Sequence, residues 1–173
     1  MPAVLDASVA ISWIFADVAA DSDETLEYVR KFGALVPPLW FLEVASIILQ
    51  AQKAGKILIY DTAGRLEMIS ALPISVDQNM AARAWDEIMD LARTEHLSVY
   101  AATYLDLAIR RSLPLFTHDD TLLAAAERRH VLHTLNWPLN IPSADGDIIQ
   151  KPNRAKLRRR QKARRLINKI NGF

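Results

Sequence analysis

Apolar positions along the chain fall into short continuous runs separated by stretches of helical periodicity. Val4 and Leu5 form the first run, a short strand, followed at once by Asp6, Ala7 and Ser8, with Ser8 placed to cap a helix through Trp13 and Phe15. Asp21 and Glu24 have capping-box spacing and predict a helix to about Phe32. Ala34 to Val36 reads as a second strand, stopped by Pro37 and Pro38. From Trp40 to about Ala54 the chain is apolar nearly all round, the pattern of a buried helix. Further on, the pattern predicts a helix over Thr62 to Ala71, a strand over Ile74 to Val76, a long helix over Asn79 to Thr94 and another over Tyr100 to Arg111. A strand at Leu113 to Phe116, a helix from Thr121 to about Arg128 and a final strand at Val131 to Leu135 complete the series. Strands alternating with helices predict an α/β sandwich, a mostly parallel central sheet flanked by helices.

Composition narrows the class. The 173 residues suffice for one domain with its own core, and 51% apolar with 24% charged residues excludes collagen-like, mucin-like and wholly disordered chains. The absence of cysteine removes disulfides and thiolate zinc sites and points to a reducing compartment. Met1 to Asp6 lack the basic start of a signal peptide, and no run of eighteen apolar residues occurs, so the expected location is cytoplasmic, away from membranes. The net charge of +1 conceals a division: residues 1–150 carry −9 and residues 151–173 carry +10. Pro138, Pro142, Gly146 and Pro152 interrupt helical patterning between the two parts, which places a globular domain at 1–140 and a linker with a basic tail at 141–173.

In open parallel sheets, ligands bind beyond the carboxyl ends of the strands. Asp6 has that address, as do Asp119 and Asp120 after the strand ending near Phe116. Glu43 lies in the first turn of a helix with nearly all-apolar neighbours, where burying an unpartnered carboxylate costs several kcal/mol, so it calls for a partner such as a cation. Each acid has a structural alternative, Asp6, Asp119 or Asp120 as helix caps and Glu43 as a charge at a helix N-terminus. Clustering at equivalent strand ends favours a cation, and hard oxygen ligands suit Mg²⁺ or Mn²⁺. A lone histidine such as His118 reads as structural, and His96, His130 and His133 have no zinc-like spacing. Trp13, Trp40 and Trp85 read as core, and Tyr100 and Tyr104, one turn apart, as packing or dimer contacts. The GxxxxGK[ST], GxGxxG and GxSxG motifs are absent, which leaves nucleotide hydrolysis, dinucleotide redox chemistry and serine hydrolysis without their signatures.

Four motifs in order, Val4-Leu5-Asp6-Ala7-Ser8, Pro37-Pro38 to Leu42-Glu43-Val44-Ala45, Leu97-Ser98-Val99-Tyr100 with Ala102 and Tyr104-Leu105, and Leu113-Pro114-Leu115 to Thr117-His118-Asp119, resemble the PIN-domain ribonucleases. Within them the chain is most similar to the VapC toxins of toxin-antitoxin pairs, from Met1 to about Leu135. The resemblance implies a PIN-like three-layer sandwich and a Mg²⁺- or Mn²⁺-dependent endoribonuclease acting on structured RNA, often tRNA or ribosomal RNA. It implies Asp6, Glu43 and Asp119 as catalytic and metal-binding acids, with Ser8 and Thr117 in support. The family's fourth acid, usually aspartate, falls on Ala101, which implies weakened metal binding and reduced activity in this chain. Asp106 is no easy substitute, because five residues of helix rotate it by about 140° to another face. Two origins fit Ala101: an introduced inactivating substitution and a natural loss.

The resemblance also implies an antitoxin that sets a basic group among the carboxylates, and homodimers. The tail lies outside the usual domain. Ala163, Leu166, Ile167 and Ile170 have helical spacing, and Arg158, Arg159, Arg160, Arg164 and Arg165 are candidates for binding RNA or the acidic site of a chain. The plain alternative is a solvated terminus. Two other function classes compete: a degenerate PIN module that binds RNA or a protein without cleavage, and a receiver domain, which lacks a convincing aspartate and lysine pair at its strand ends.

Overall fold

The computed structural model describes residues 1–15 and 23–131. Four parallel strands, β1 (Ala3–Leu5), β2 (Ala34–Val36), β3 (Ile74–Val76) and β4 (Leu115–Phe116), form one sheet in the order β3-β2-β1-β4. Among the described residues eight helices connect and flank them: α1 (Ala7–Phe15), α2 (Glu24–Phe32), α3 (Leu39–Lys53), α4 (Ile59–Ser70), α5 (Met80–Arg83), α6 (Glu87–Glu95), α7 (Val99–Arg111) and α8 (Asp120–Arg128). This is the expected α/β architecture. Ala3, Val4 and Leu5 of the inner strand β1 are wholly buried, because parallel strands covered by helices on both faces read as continuous apolar runs. The core joins β1 to Val9, Ile11 and Ile14 of α1, Trp40, Val44 and Ile48 of α3, and Tyr104, Leu105 and Ala108 of α7.

Local chemistry sets several boundaries. The carboxylate of Asp23 accepts from the backbone N–H groups of Thr25 (2.9 Å) and Leu26 (3.3 Å), so Asp23 caps α2 in place of the expected pair from Asp21, which lies outside the described residues. Gly33 ends α2 at φ +81°, and a Cβ there would meet the Pro73 carbonyl oxygen at 2.9 Å, so glycine alone fits the turn into β2. α4 starts at Ile59, three residues earlier than its apolar pattern suggested.

Four readings are corrected. The long helix over 79–94 is two, α5 and α6, broken at Asp86, whose φ −109° and ψ −96° are not helical. Trp85, at that break, is 88% exposed and not core, unlike Trp13 and Trp40. α3 buries only Trp40, Val44, Ile48 and Ala51 and turns Phe41, Leu42 and Leu49 outward, because its neighbours cover one face. β4 is just two residues, and Val131 lies in no strand, while residues 132–135 of the expected last strand fall outside the described residues. Among the described residues no helix is long and apolar enough to cross a membrane.

Candidate metal centre

Strand register builds the site. Leu5 of β1 pairs with Phe116 of β4, so the residues that follow leave the sheet side by side, and the Asp6 N–H donates to the Phe116 carbonyl at 2.9 Å. The Thr117 hydroxyl then donates to Asp6 Oδ2 at 2.6 Å, and the Ser8 hydroxyl donates to the same oxygen. These hydroxyls are themselves fixed by backbone: the His118 N–H donates to Ser8 Oγ at 2.9 Å and the Asp119 N–H to Thr117 Oγ1 at 3.0 Å. Ser8 therefore does not cap α1 as its position suggested. It faces the Asp6 carboxylate from the first turn of the helix.

Asp119 Oδ1 accepts from the N–H groups of Thr121 (2.8 Å) and Leu122 (3.4 Å) and from the Thr121 hydroxyl (2.7 Å). It is the cap of α8, yet its charge also reaches Asp6. Glu43 enters from the first turns of α3, and the Tyr104 hydroxyl from α7 donates to Glu43 Oε2. Tyr104, a packing or dimer contact by its spacing, instead sets its hydroxyl on a site carboxylate, a role that spacing does not announce. The available signal was a hydroxyl one turn beyond position 101 on a helix expected to line the site.

Electrostatics follow from the placement. Burial pushes the Asp6 carboxyl up, opposed by the hydrogen bonds from Ser8 and Thr117 and reinforced by the Asp119 charge. Burial, with the charge of Asp6, pushes the Glu43 carboxyl up to about 7 against the pull of the Tyr104 hydrogen bond. The Tyr104 phenol is pushed far above its ordinary value by burial and by the neighbouring Asp6 and Glu43. The structure thus brings Asp6, Ser8, Thr117 and Asp119 to one end of the sheet and couples Glu43 to them.

Ala101 lies buried in the first turn of α7, its N–H donating to the Ser98 hydroxyl at 3.0 Å, in the same core as Ala7 and Tyr104. Position 101 shares its helical face with Tyr104, three residues on. Asp106 points elsewhere, as the rotation predicts: Arg83 binds both its oxygens, at 2.9 and 3.2 Å. Asp120 is exposed in the first turn of α8, and His118 Nε2 lies 3.2 Å from Ser12 Oγ. Tyr100 is exposed, and the arginines at 158–165 lie outside the described residues.

An all-oxygen group of carboxylates fits a hard divalent cation in its chemistry. Among the described residues no lysine or arginine forms an ion pair with Asp6, Glu43 or Asp119. Among the described residues no three His, Asp or Glu side chains come close enough to hold one ion together.

The family model of the PIN domain matches residues 3–128, and the chain belongs to that family. PIN domains are in general metal-dependent nucleases. The fold is shared with the crystal structure of PAE2754 from Pyrobaculum aerophilum, at a TM-score of 0.59 and 20% sequence identity, over 77% of this chain and 90% of that one. No curated protein matches the chain.

Proposed function

We propose that this chain is a VapC-type PIN ribonuclease, a toxin that hydrolyses RNA phosphodiester bonds and is neutralised by a cognate antitoxin, with activity impaired by Ala101. The observation that carries this reading is the electrostatic coupling of Asp6 to both Asp119 and Glu43 at the end of the sheet, while an alanine stands on the α7 face that also presents Tyr104. Asp6 and Asp119 would hold Mg²⁺ or Mn²⁺, directly or through water, and Glu43 would bind metal or orient the attacking water. The bound ion would activate that water and stabilise the leaving oxygen of a phosphodiester. Ser8 and Thr117 keep the Asp6 carboxylate in one orientation. Structured RNA, a basic antitoxin segment, a homodimeric state and a cytoplasmic location belong to this reading. The charge of −9 on residues 1–150 supports a basic partner.

The test compares the chain with its Ala101→Asp variant on total RNA, tRNA and ribosomal RNA, with Mg²⁺, Mn²⁺ or EDTA. Cleavage by the variant alone, abolished by EDTA, is the expected result; a variant that binds metal and cuts none of these RNAs overturns the nuclease assignment. The missing fourth carboxylate favours one second reading, a degenerate module that binds RNA or a protein without cutting it. RNA or protein binding at equal affinity by both forms, with cleavage by neither, would select it.

A further inference from the structure

Seven of the twelve large apolar side chains exposed among the described residues lie between positions 41 and 66: Phe41, Leu42, Leu49, Leu58, Ile59, Tyr60 and Leu66. Three of them, Phe41, Leu49 and Leu66, line a groove of about 300 Å³ between α3 and α4, whose floor includes Trp40, Val44, Ile48 and Ile69. Leu42 and Ile59 of the same two helices are 74% and 77% exposed, so the exposed apolar side chains concentrate on α3, α4 and the turn between them. The groove has a direction. Trp40 and Phe41 line it just after β2 ends, and Glu43 of the carboxylate site stands in the same turn of α3.

The chain carries a segment matched to both features. Ala163, Leu166, Ile167 and Ile170 recur at i, i+3, i+4 and i+7, the spacing of an amphipathic helix that seats in an apolar groove. Around them residues 151–173 carry +10 and no acid, against −9 on residues 1–150. Reach is ample: the residues between Val131 and Ala163 span up to about 100 Å when extended, at about 3.3 Å each, against a domain roughly 30–40 Å across.

We propose that the C-terminal segment of this chain docks in its own α3–α4 groove as an amphipathic helix, with its arginines directed to the carboxylate end of the sheet. The apolar face supplies the seat and the charge difference supplies the orientation. Docked in this way, the segment covers the apolar face and places cations beside Glu43 and Asp6, where they compete with a divalent ion. This does not depend on the nuclease reading, because it concerns a surface and a segment and not a reaction.

The absence of cysteine makes the test clean. Full-length chains carrying Leu49→Cys with Ile167→Cys, or Leu66→Cys with Ile167→Cys, are oxidised mildly and run on a non-reducing gel. Arg93→Cys with Ile167→Cys serves as the control, since Arg93 is exposed on α6, outside the groove. The expected result is an intramolecular crosslink for the groove pairs, absent for the control and lost when Leu166→Asp and Ala163→Asp are added. A melting temperature unchanged by those aspartates shows that the loss is of docking and not of folding. Equal crosslinking of groove and control pairs, or crosslinks only between chains, overturns the proposal, the latter in favour of a second copy as occupant. Loss of the groove crosslink only when RNA is added upholds it and marks RNA as a competitor for the segment.

Discussion

Glu43→Gln removes one ionisation while keeping the size of the side chain and its capacity to accept from the Tyr104 hydroxyl. A carboxyl whose ordinary value is 4.5 and which burial and the Asp6 charge push up to about 7 costs the folded protein about 3 kcal/mol to ionise. Between those two values the folded state retains a proton that the unfolded chain has already released. Stability therefore falls as pH rises from 4.5 to about 7 and levels off above it. Asp6, also pushed up, adds to the fall in the same direction in both proteins. Asp77 and Glu95, held low by arginines, lose their contribution only under more acidic conditions and do not enter the window. The assay is urea unfolding at a series of pH values, with and without Mg²⁺. Without metal, the wild type should lose up to about 3 kcal/mol more than Glu43→Gln across the window, and Mg²⁺ should shrink that difference by binding the ionised form. Identical pH slopes for the two proteins would refute the placement of Glu43 in a desolvated, like-charged site.

Three other outcomes follow from the same geometry. Asp6→Asn keeps an oxygen for Ser8 and Thr117 and removes a strained charge, so it should raise the melting temperature without metal and abolish any rise induced by Mg²⁺ or Mn²⁺, as thermal shift would show. Tyr104→Phe strips Glu43 of its hydrogen bond and should move the Glu43 titration upward, at a cost of about 1–3 kcal/mol for the unsatisfied carboxyl, read by the same unfolding series. Asp77→Ala leaves Arg110 and Arg111 without their shared carboxylate, and because both arginines are partly exposed the loss should fall below the ~3–5 kcal/mol of a fully buried pair, measured at neutral pH. In the wild type that contribution is present at neutral pH and disappears as pH falls through the lowered value of Asp77.

Much of this molecule is legible in one dimension. Runs such as Ala3–Leu5 and Ala34–Val36 declare short strands, and Asp6 after the first of them and Asp119 after the strand ending at Phe116 stand at strand ends by sequence position alone. Ala101 was visible as a departure, and helical rotation already separated Asp106 from that face, where Arg83 binds it. Tertiary structure alone decided which sides of the elements find partners. α3 has an apolar sequence all round and yet leaves Phe41, Leu42 and Leu49 in solvent, because periodicity records hydrophobicity and not the number of neighbours. Trp85 is outside because the helix breaks beside it, an event with no proline or glycine to announce it. The pairing of Tyr104 with Glu43 crosses 61 positions of chain, and the shared grip of Ser8 and Thr117 on Asp6 depends on the register of β1 against β4. Residue type and local spacing determine what chemistry a segment can carry; contacts between distant segments, set by register and packing, decide which of those groups meet and how burial changes their charge.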